Sequence, residues 1–298
     1  MRTPLVEVDA LSRLAKHPVY LKLENRQPSG AFKLRGAWTA VRRLSDEKRR
    51  AGVITYSSGN HGQAVAYAAR QVGVRAVIVM PETAPAFKID GVRRWGGEIV
   101  LAGTTSEDRL AKAQEIIERE GLTVIPPFDH PDVIAGQGTV GLEIVEDLPE
   151  VAHVAVPVGG GGLAAGVATA VSALRPEARI TAVEPEGAAT YAAALEAGHP
   201  VRMERTASVA DGLLPLSVGA LTFEHMKDLA RSVTIPDSAI VEATQWLFGE
   251  VDITAEPSGA VTTAALRHGA LQADGPTVLV VSGGNVDVAT IRSLEAAT

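Results

Sequence analysis

Short apolar runs punctuate the first half of the chain, at residues 53–56, 76–79, 98–101 and 122–125. Their centres lie about 22–25 residues apart, and each run is too short to be a buried helix. They are rich in Val and Ile, which predicts strands covered on both faces. Helical stretches are predicted between them. Residues 63–72 are rich in alanine, and 85–95 are less regular. Residues 106–120 follow Thr105, open on Ser106-Glu107-Asp108 and stop at Gly121, good start and stop chemistry for a helix. The second half repeats the alternation. Strands are predicted at 154–158, 180–183, 232–235 and 277–281, helices at 163–174 and 237–250, and a long irregular loop at 196–216. This grammar predicts an α/β fold of two open, mostly parallel, twisted-sheet units. We expect a large domain of residues 1–45 plus 131–298 and a small domain of 46–130.

Composition narrows the functional classes. Lys plus Arg number 28 against 35 Asp plus Glu, a net charge of −7. Nucleic-acid affinity comes from clustered cations on phosphates, so this balance argues against a nucleic-acid partner. Hydrophobic residues make up 46% and aromatics only 4%, so a sizeable core is built from Ala, Val, Leu and Ile. Cysteine is absent, which excludes disulfides, thiolate metal sites and cysteine nucleophiles. No run of apolar residues is long enough to span a membrane, and the first ten residues have no signal-peptide character. A soluble cytoplasmic protein is expected.

Four polar or glycine-rich segments follow predicted strands or interrupt apolar sequence, where open α/β sheets take ligands. Gly159-Gly160-Gly161-Gly162 lies between a strand and a helix. Its backbone N–H groups can converge on an anion at the helix N-terminus; a plain strand–helix turn competes, but needs fewer glycines. It is not a nucleotide P-loop, because no Gly-Lys-Ser/Thr follows. Ser57-Ser58-Gly59-Asn60-His61-Gly62 gathers hydroxyls, an amide and an imidazole ahead of a helix, suited to a carboxylate or phosphate oxygen. Helix capping by Ser58 or Asn60 is the alternative. Lys33 stands in an apolar stretch with no acid between Glu24 and Asp46. Desolvation and nearby Arg35 would favour a neutral amine, as a Schiff-base lysine requires; a snorkelling surface lysine is the alternative. The Phe-Lys pair alone is cheap, since it recurs at Phe87-Lys88. Ser282-Gly283-Gly284-Asn285 follows the last strand, as a ligand contact or a turn.

Taken together, LKLENRQPSGAFKLRGA, SSGNHGQAVA, VIAGQGTVGLE, VPVGGGGLAAG, ADG, EPSGA and SGGN, in that order from residue 21 to 285, resemble the fold-type II pyridoxal-phosphate enzymes of the serine/threonine dehydratase and serine racemase family. The resemblance implies a tryptophan-synthase-β-like fold and a pyridoxal 5'-phosphate cofactor. Lys33 would carry the cofactor on its amine, with Phe32 packed near it. Asn60 would bond its 3′-oxygen, Gly159, Gly160, Gly161 and Gly162 would cradle its phosphate, and Ser282 would face its pyridine nitrogen. Ser57, Asn60 and His61 would bind the substrate carboxylate. Ser58 stands where racemases keep a second acid/base, and many threonine dehydratases carry Ala there. The family usually has Ser where this chain has Ala31.

The implied reaction is dehydration of L-threonine, L-serine or a related β-hydroxy amino acid to a 2-oxo acid and ammonia. Serine racemisation with side dehydration, or 3-hydroxyaspartate dehydration, is the alternative. A non-catalytic nucleotide-binding module is a third reading, separable by the absence of cofactor absorbance. Residues 81–88 and 211–215 are expected to set the β-substituent preference. Relatives of the racemase type also hold Mg²⁺ or Ca²⁺. Glu184 and the Ala188 carbonyl match two of those ligands, but the third position is the neutral Thr190, so weak cation binding at most is expected. A homo-oligomer, dimer or tetramer, is implied. The chain ends at Thr298, so the feedback domain of longer biosynthetic relatives is not expected.

Overall fold

The computed structural model describes residues 1–57 and 59–294. Its ten strands are β1 (Leu5–Glu7), β2 (Val19–Leu23), β3 (Val53–Thr55), β4 (Ala76–Met80), β5 (Glu98–Leu101), β6 (Thr123–Val124), β7 (His153–Pro157), β8 (Arg179–Pro185), β9 (Arg231–Ile235) and β10 (Thr277–Val281). They form two sheets, in the orders β1-β2-β10-β7-β8-β9 and β5-β4-β3-β6. Every pairing is parallel except β1 with β2. The all-apolar runs are the reason. In β4, Ala76, Val77, Ile78, Val79 and Met80 are all buried, and β7 and β10 are buried along their whole length. Each large aliphatic side chain so buried contributes about 1.5–3 kcal/mol, and only a sheet covered on both faces buries successive residues. All eight strands expected from the pattern are present, and β1 and β2 are additional.

Two compact units are built on the two sheets, Met1–Phe32 with Phe128–Thr298, and Lys33–Pro127. The division falls earlier than the expected 45/46 and 130/131. Helix Lys33–Arg42 packs on helix Asn60–Gln71 and so belongs to the smaller unit. Phe32 stays with the larger unit, where its N–H donates to the Ser282 carbonyl at 3.0 Å. The stretch expected to be a loop at 196–216 begins inside helix Thr190–Ala197 and holds a short turn of helix at Asp211–Leu213. Among the described residues no helix is long and apolar enough to cross a membrane.

Candidate functional site

In the larger unit, the parallel strands β2, β10, β7 and β8 deliver their C-terminal ends to one sheet edge. Two of the four expected segments lie there, 159–162 and 282–285, with the Gly30–Phe32 part of a third. Glycines 159–162 run from β7 into helix Gly162–Leu174. Gly161 is the N-cap, at φ +91°, and no side chain caps this helix. The region at φ +91° suits glycine alone. A Cβ on Gly160 would overlap the Phe128 ring, one on Gly162 would stand 3.0 Å from Phe128 Cβ, and one on Gly159 would stand 3.0 Å from Leu213 Cα. The run is therefore bare backbone packed against Phe128 and Leu213, and its first-turn N–H groups have no intrahelical acceptor. That is more than a tight turn demands, and it fits a phosphate.

Ser282 follows β10 on the neighbouring strand and is buried. Its Oγ donates to the Ser258 carbonyl at 3.3 Å. The Gly30–Phe32 segment lies against this turn. Ala31 bridges Gly283, Gly284 N–H donates to the Gly30 carbonyl at 2.9 Å, and Asn285 Nδ2 donates to the Ser29 carbonyl at 2.8 Å. A Cβ on Gly283 would already stand 3.1 Å from Ala31 Cβ, so position 31 is a tight, small-residue site. Phe32 packs against the core of the larger unit.

In the smaller unit, the neighbouring parallel strands β3 and β6 lead to residues 57–62 and 125–127. Helix Asn60–Gln71 starts from Gly59 with no side-chain cap, so Asn60 does not cap it. Ser57 is half-buried, and Gly59 N–H approaches its Oγ at 3.4 Å. A Cβ on Gly62 would stand 2.6 Å from the Ser57 carbonyl, so the turn requires glycine there. Ser58, the expected second acid/base, lies outside the described residues.

His61 is buried, and its Nε2 lies 2.9 Å from the Ile125 carbonyl. A carbonyl only accepts, so Nε2 carries the proton. Burial, the charge of Lys33 and the Ile125 contact together leave the imidazole at a pKa of about 3, with burial dominant. The ring is neutral, and its one N–H is committed to the main chain. It is not a donor to a substrate carboxylate; only the His61 backbone N–H, in the first turn of the helix, has that capacity.

Two residues beyond Ile125, the Pro127 carbonyl accepts from Lys33 Nζ at 2.7 Å. Lys33 as a residue is half-buried, but its amine is desolvated, which pushes it down to about 8. Lys88, in the second Phe-Lys pair, sits over its neighbour Phe87, which is exposed. The Pro127 carbonyl was not legible in the sequence, because a main-chain acceptor has no residue signature. Burial is the cause of the lowered Lys33 pKa, as the apolar context predicts, and the expected contribution of Arg35 is not among its causes.

Glu184 is fully buried on β8. Its carboxylate accepts from Tyr191 N–H at 2.7 Å, Ala192 N–H at 2.9 Å and Ser232 Oγ at 3.1 Å. Burial raises its pKa against those hydrogen bonds. It serves the first turn of helix Thr190–Ala197, and the Thr190 hydroxyl bonds this carboxylate as well as reaching the Gly159 carbonyl at 3.5 Å. This donor set does not fit a hard cation, which wants free carboxylate oxygens. Among the described residues no cluster of three His, Asp or Glu could hold a metal ion.

Comparison with known proteins agrees with this chemistry. The family described as "Pyridoxal-phosphate dependent enzyme" matches residues 1–283. The chain is 42% identical over 297 residues to a biosynthetic L-threonine dehydratase of Salmonella typhimurium, covering 97% of this chain and 57% of that one. It is 42% identical over 289 residues to an L-threonine ammonia-lyase of Thermotoga maritima, covering 96% and 72%. Maize serine racemase superposes with a TM-score of 0.94 at 38% identity, covering 98% and 91%. The chain thus spans little more than half the length of the biosynthetic dehydratases it matches.

Proposed function

This chain belongs to the pyridoxal-phosphate-dependent enzyme family, and on that premise we propose that it is an ammonia-lyase acting on a small β-hydroxy amino acid, L-threonine or L-serine. The products are a 2-oxo acid and ammonia. The substrate class follows the relatives named for L-threonine and serine chemistry. The observation that carries the reading is the Lys33 amine, desolvated, pushed down to about 8 and oriented by the Pro127 carbonyl.

When bound, the cofactor supplies an electron sink for the pair left on the substrate α-carbon. The roles of this chain follow. Lys33 would hold the cofactor through its amine and would serve as the neutral base for the α-proton. Backbone N–H groups of 159–162 would hold the phosphate. Ser282 would offer the pyridine nitrogen a neutral hydroxyl rather than a carboxylate. The Asn60 amide would bond the 3′-oxygen. Ser57, Asn60 and the His61 backbone N–H take the substrate carboxylate at the uncapped N-terminus of helix Asn60–Gln71. The β-hydroxyl leaves as water, and water returns when the amino group is lost as ammonia. No step runs through a cation, and only a small dependence on divalent ions is expected. A cytoplasmic homo-oligomer belongs to the same reading.

The test is a substrate panel assayed for 2-oxo acid, joined to borohydride reduction and peptide mapping. Product from L-threonine or L-serine, a label on Lys33, and loss of both in Lys33→Ala are expected. A label on Lys88, or full turnover by Lys33→Ala, would sink the assignment.

A further inference from the structure

The glycine run does not hold its shape alone. Thr222, fully buried at the start of helix Ala220–Met226, donates its Oγ1–H to the Gly160 carbonyl at 2.8 Å, sharing it with the Gly219 carbonyl at 3.1 Å. Gly219 N–H also donates to the Gly160 carbonyl, at 3.2 Å. Thr222 and its neighbours are held in turn by Asp129. The Asp129 carboxylate accepts from Ala220 N–H at 3.2 Å, Leu221 N–H at 2.9 Å and Thr222 N–H at 3.1 Å. A Cβ on Gly219 would overlap that carboxylate, so the approach requires glycine.

A trans peptide is planar, with its C=O and N–H on opposite sides. Fixing the Gly160 carbonyl on Thr222 therefore fixes Gly161 N–H in the opposite direction. Gly161 is the residue at φ +91°, heading a helix that no side chain caps. Left to itself, a glycine peptide there could flip at small cost. Thr222 and Asp129 remove that freedom before any ligand arrives.

We propose that Thr222, backed by Asp129, is a positioning residue for the anion cradle: by pinning the Gly160 carbonyl it presents the Gly161 N–H to the cofactor's phosphate. This rests on the phosphate assignment above. Both residues act through the backbone of 160–161, so their effect is specific to the phosphate end.

The experiment measures binding of pyridoxal 5'-phosphate and of pyridoxal, which lacks the phosphate, to the full chain stripped of cofactor. Inorganic phosphate serves as competitor. The parent should prefer the phosphorylated form and lose it to phosphate. Thr222→Val, isosteric but without the hydroxyl, should weaken pyridoxal 5'-phosphate by about tenfold, the scale of one hydrogen bond. It should leave pyridoxal within about twofold, and Thr222→Ser should recover the loss. Asp129→Ala should behave as Thr222→Val does, but the conclusion rests on Thr222 should that variant fail to fold. A Thr222→Val chain that keeps the full preference overturns the proposal while leaving the phosphate assignment intact. Equal weakening of both ligands would make Thr222 merely structural and also overturns it. If the parent itself binds both ligands alike and phosphate does not compete, the phosphate assignment fails and the proposal with it.

Discussion

At the residue scale, the small unit's chemistry turns on three side chains and one stiff segment. Ile125-Pro126-Pro127 is held by Ile125 N–H on the Ile54 carbonyl at 3.0 Å and by His61 on the Ile125 carbonyl. Two prolines in series remove backbone donors and lock φ, so the Pro127 carbonyl is a rigid acceptor for Lys33. The amine must be neutral to capture an aldehyde, and the neutral fraction grows as pH rises through its pKa. The rate at which the stripped chain captures the cofactor should therefore climb with pH and level off above about 8. A lysine at its ordinary 10.5 would still be climbing well beyond that. A stopped-flow profile with no plateau below pH 10.5 would contradict the burial argument. Ser58 carries a second expectation, from sequence alone. If it is the acid/base opposite Lys33, Ser58→Ala should abolish D-serine formation from L-serine while elimination continues. Chiral chromatography reads this directly, and equal D-serine from variant and parent would remove the role.

At the scale of elements, the helix behind the phosphate cradle is set by backbone contact. A Cβ on Gly166 would stand 2.5 Å from Gly138 N and from the Ile134 carbonyl, and one on Gly138 would stand 3.2 Å from the Gly166 carbonyl. Helices Pro131–Asp147 and Gly162–Leu174 therefore touch at main chain. Nothing flexible is present to give way. Gly166→Ala should cost about 1–3 kcal/mol of stability through overpacking, despite the better helix propensity of Ala. Because the same helix begins at Gly162, cofactor affinity should fall too. Urea titration and equilibrium dialysis test the two effects, and a more stable variant would refute the close-packing account.

Across the whole molecule, each unit buries one histidine that folding holds neutral. His61 in the smaller unit is pushed down to about 3, and His153 in the larger to about 4, chiefly by burial and then by the charge of Arg179. Both begin from 6.5 in the unfolded chain. Between those values the unfolded state binds more protons than the folded one, so stability falls as pH drops below 6.5 toward 4. His153 is 3% exposed, and its Nε2 meets Thr181 Oγ1 at 2.8 Å. Its share of the loss is of the order of 3 kcal/mol. His153→Gln keeps a polar atom near Nε2 but does not titrate there. Its stability should decline less steeply over that range in denaturant titrations, and an unchanged slope would assign the acid sensitivity elsewhere.

The motifs, the eight apolar strands and the acid-free context of Lys33 were legible because they depend on local pattern, which a linear chain displays. Less was legible where burial erases periodicity or partners lie far along the chain. Helix Pro257–Arg267 is buried through Pro257, Ser258, Gly259, Ala260, Val261, Thr262, Thr263, Ala264, Ala265 and Leu266, so it has no polar face to reveal its turn. Helix Pro131–Asp147 carries Gly136, Gly138 and Gly141, which argue against helix until Gly166 is seen against Gly138, and Val167 and Ala170 against Gly141. Strand β2 hides its burial behind Lys22, fully buried and paired with Glu143 at 2.7 Å. The sequence by itself determined that a bare glycine loop, a serine-and-asparagine loop and a lysine in an acid-free apolar stretch exist, since backbone freedom and side-chain chemistry are properties of residues. Only the tertiary structure decided that His61 spends its N–H on Ile125, that Pro127 holds Lys33 and that Thr222 holds Gly160. Those are hydrogen bonds between groups remote in sequence, and their donors and acceptors are paired by where the sheets bring them.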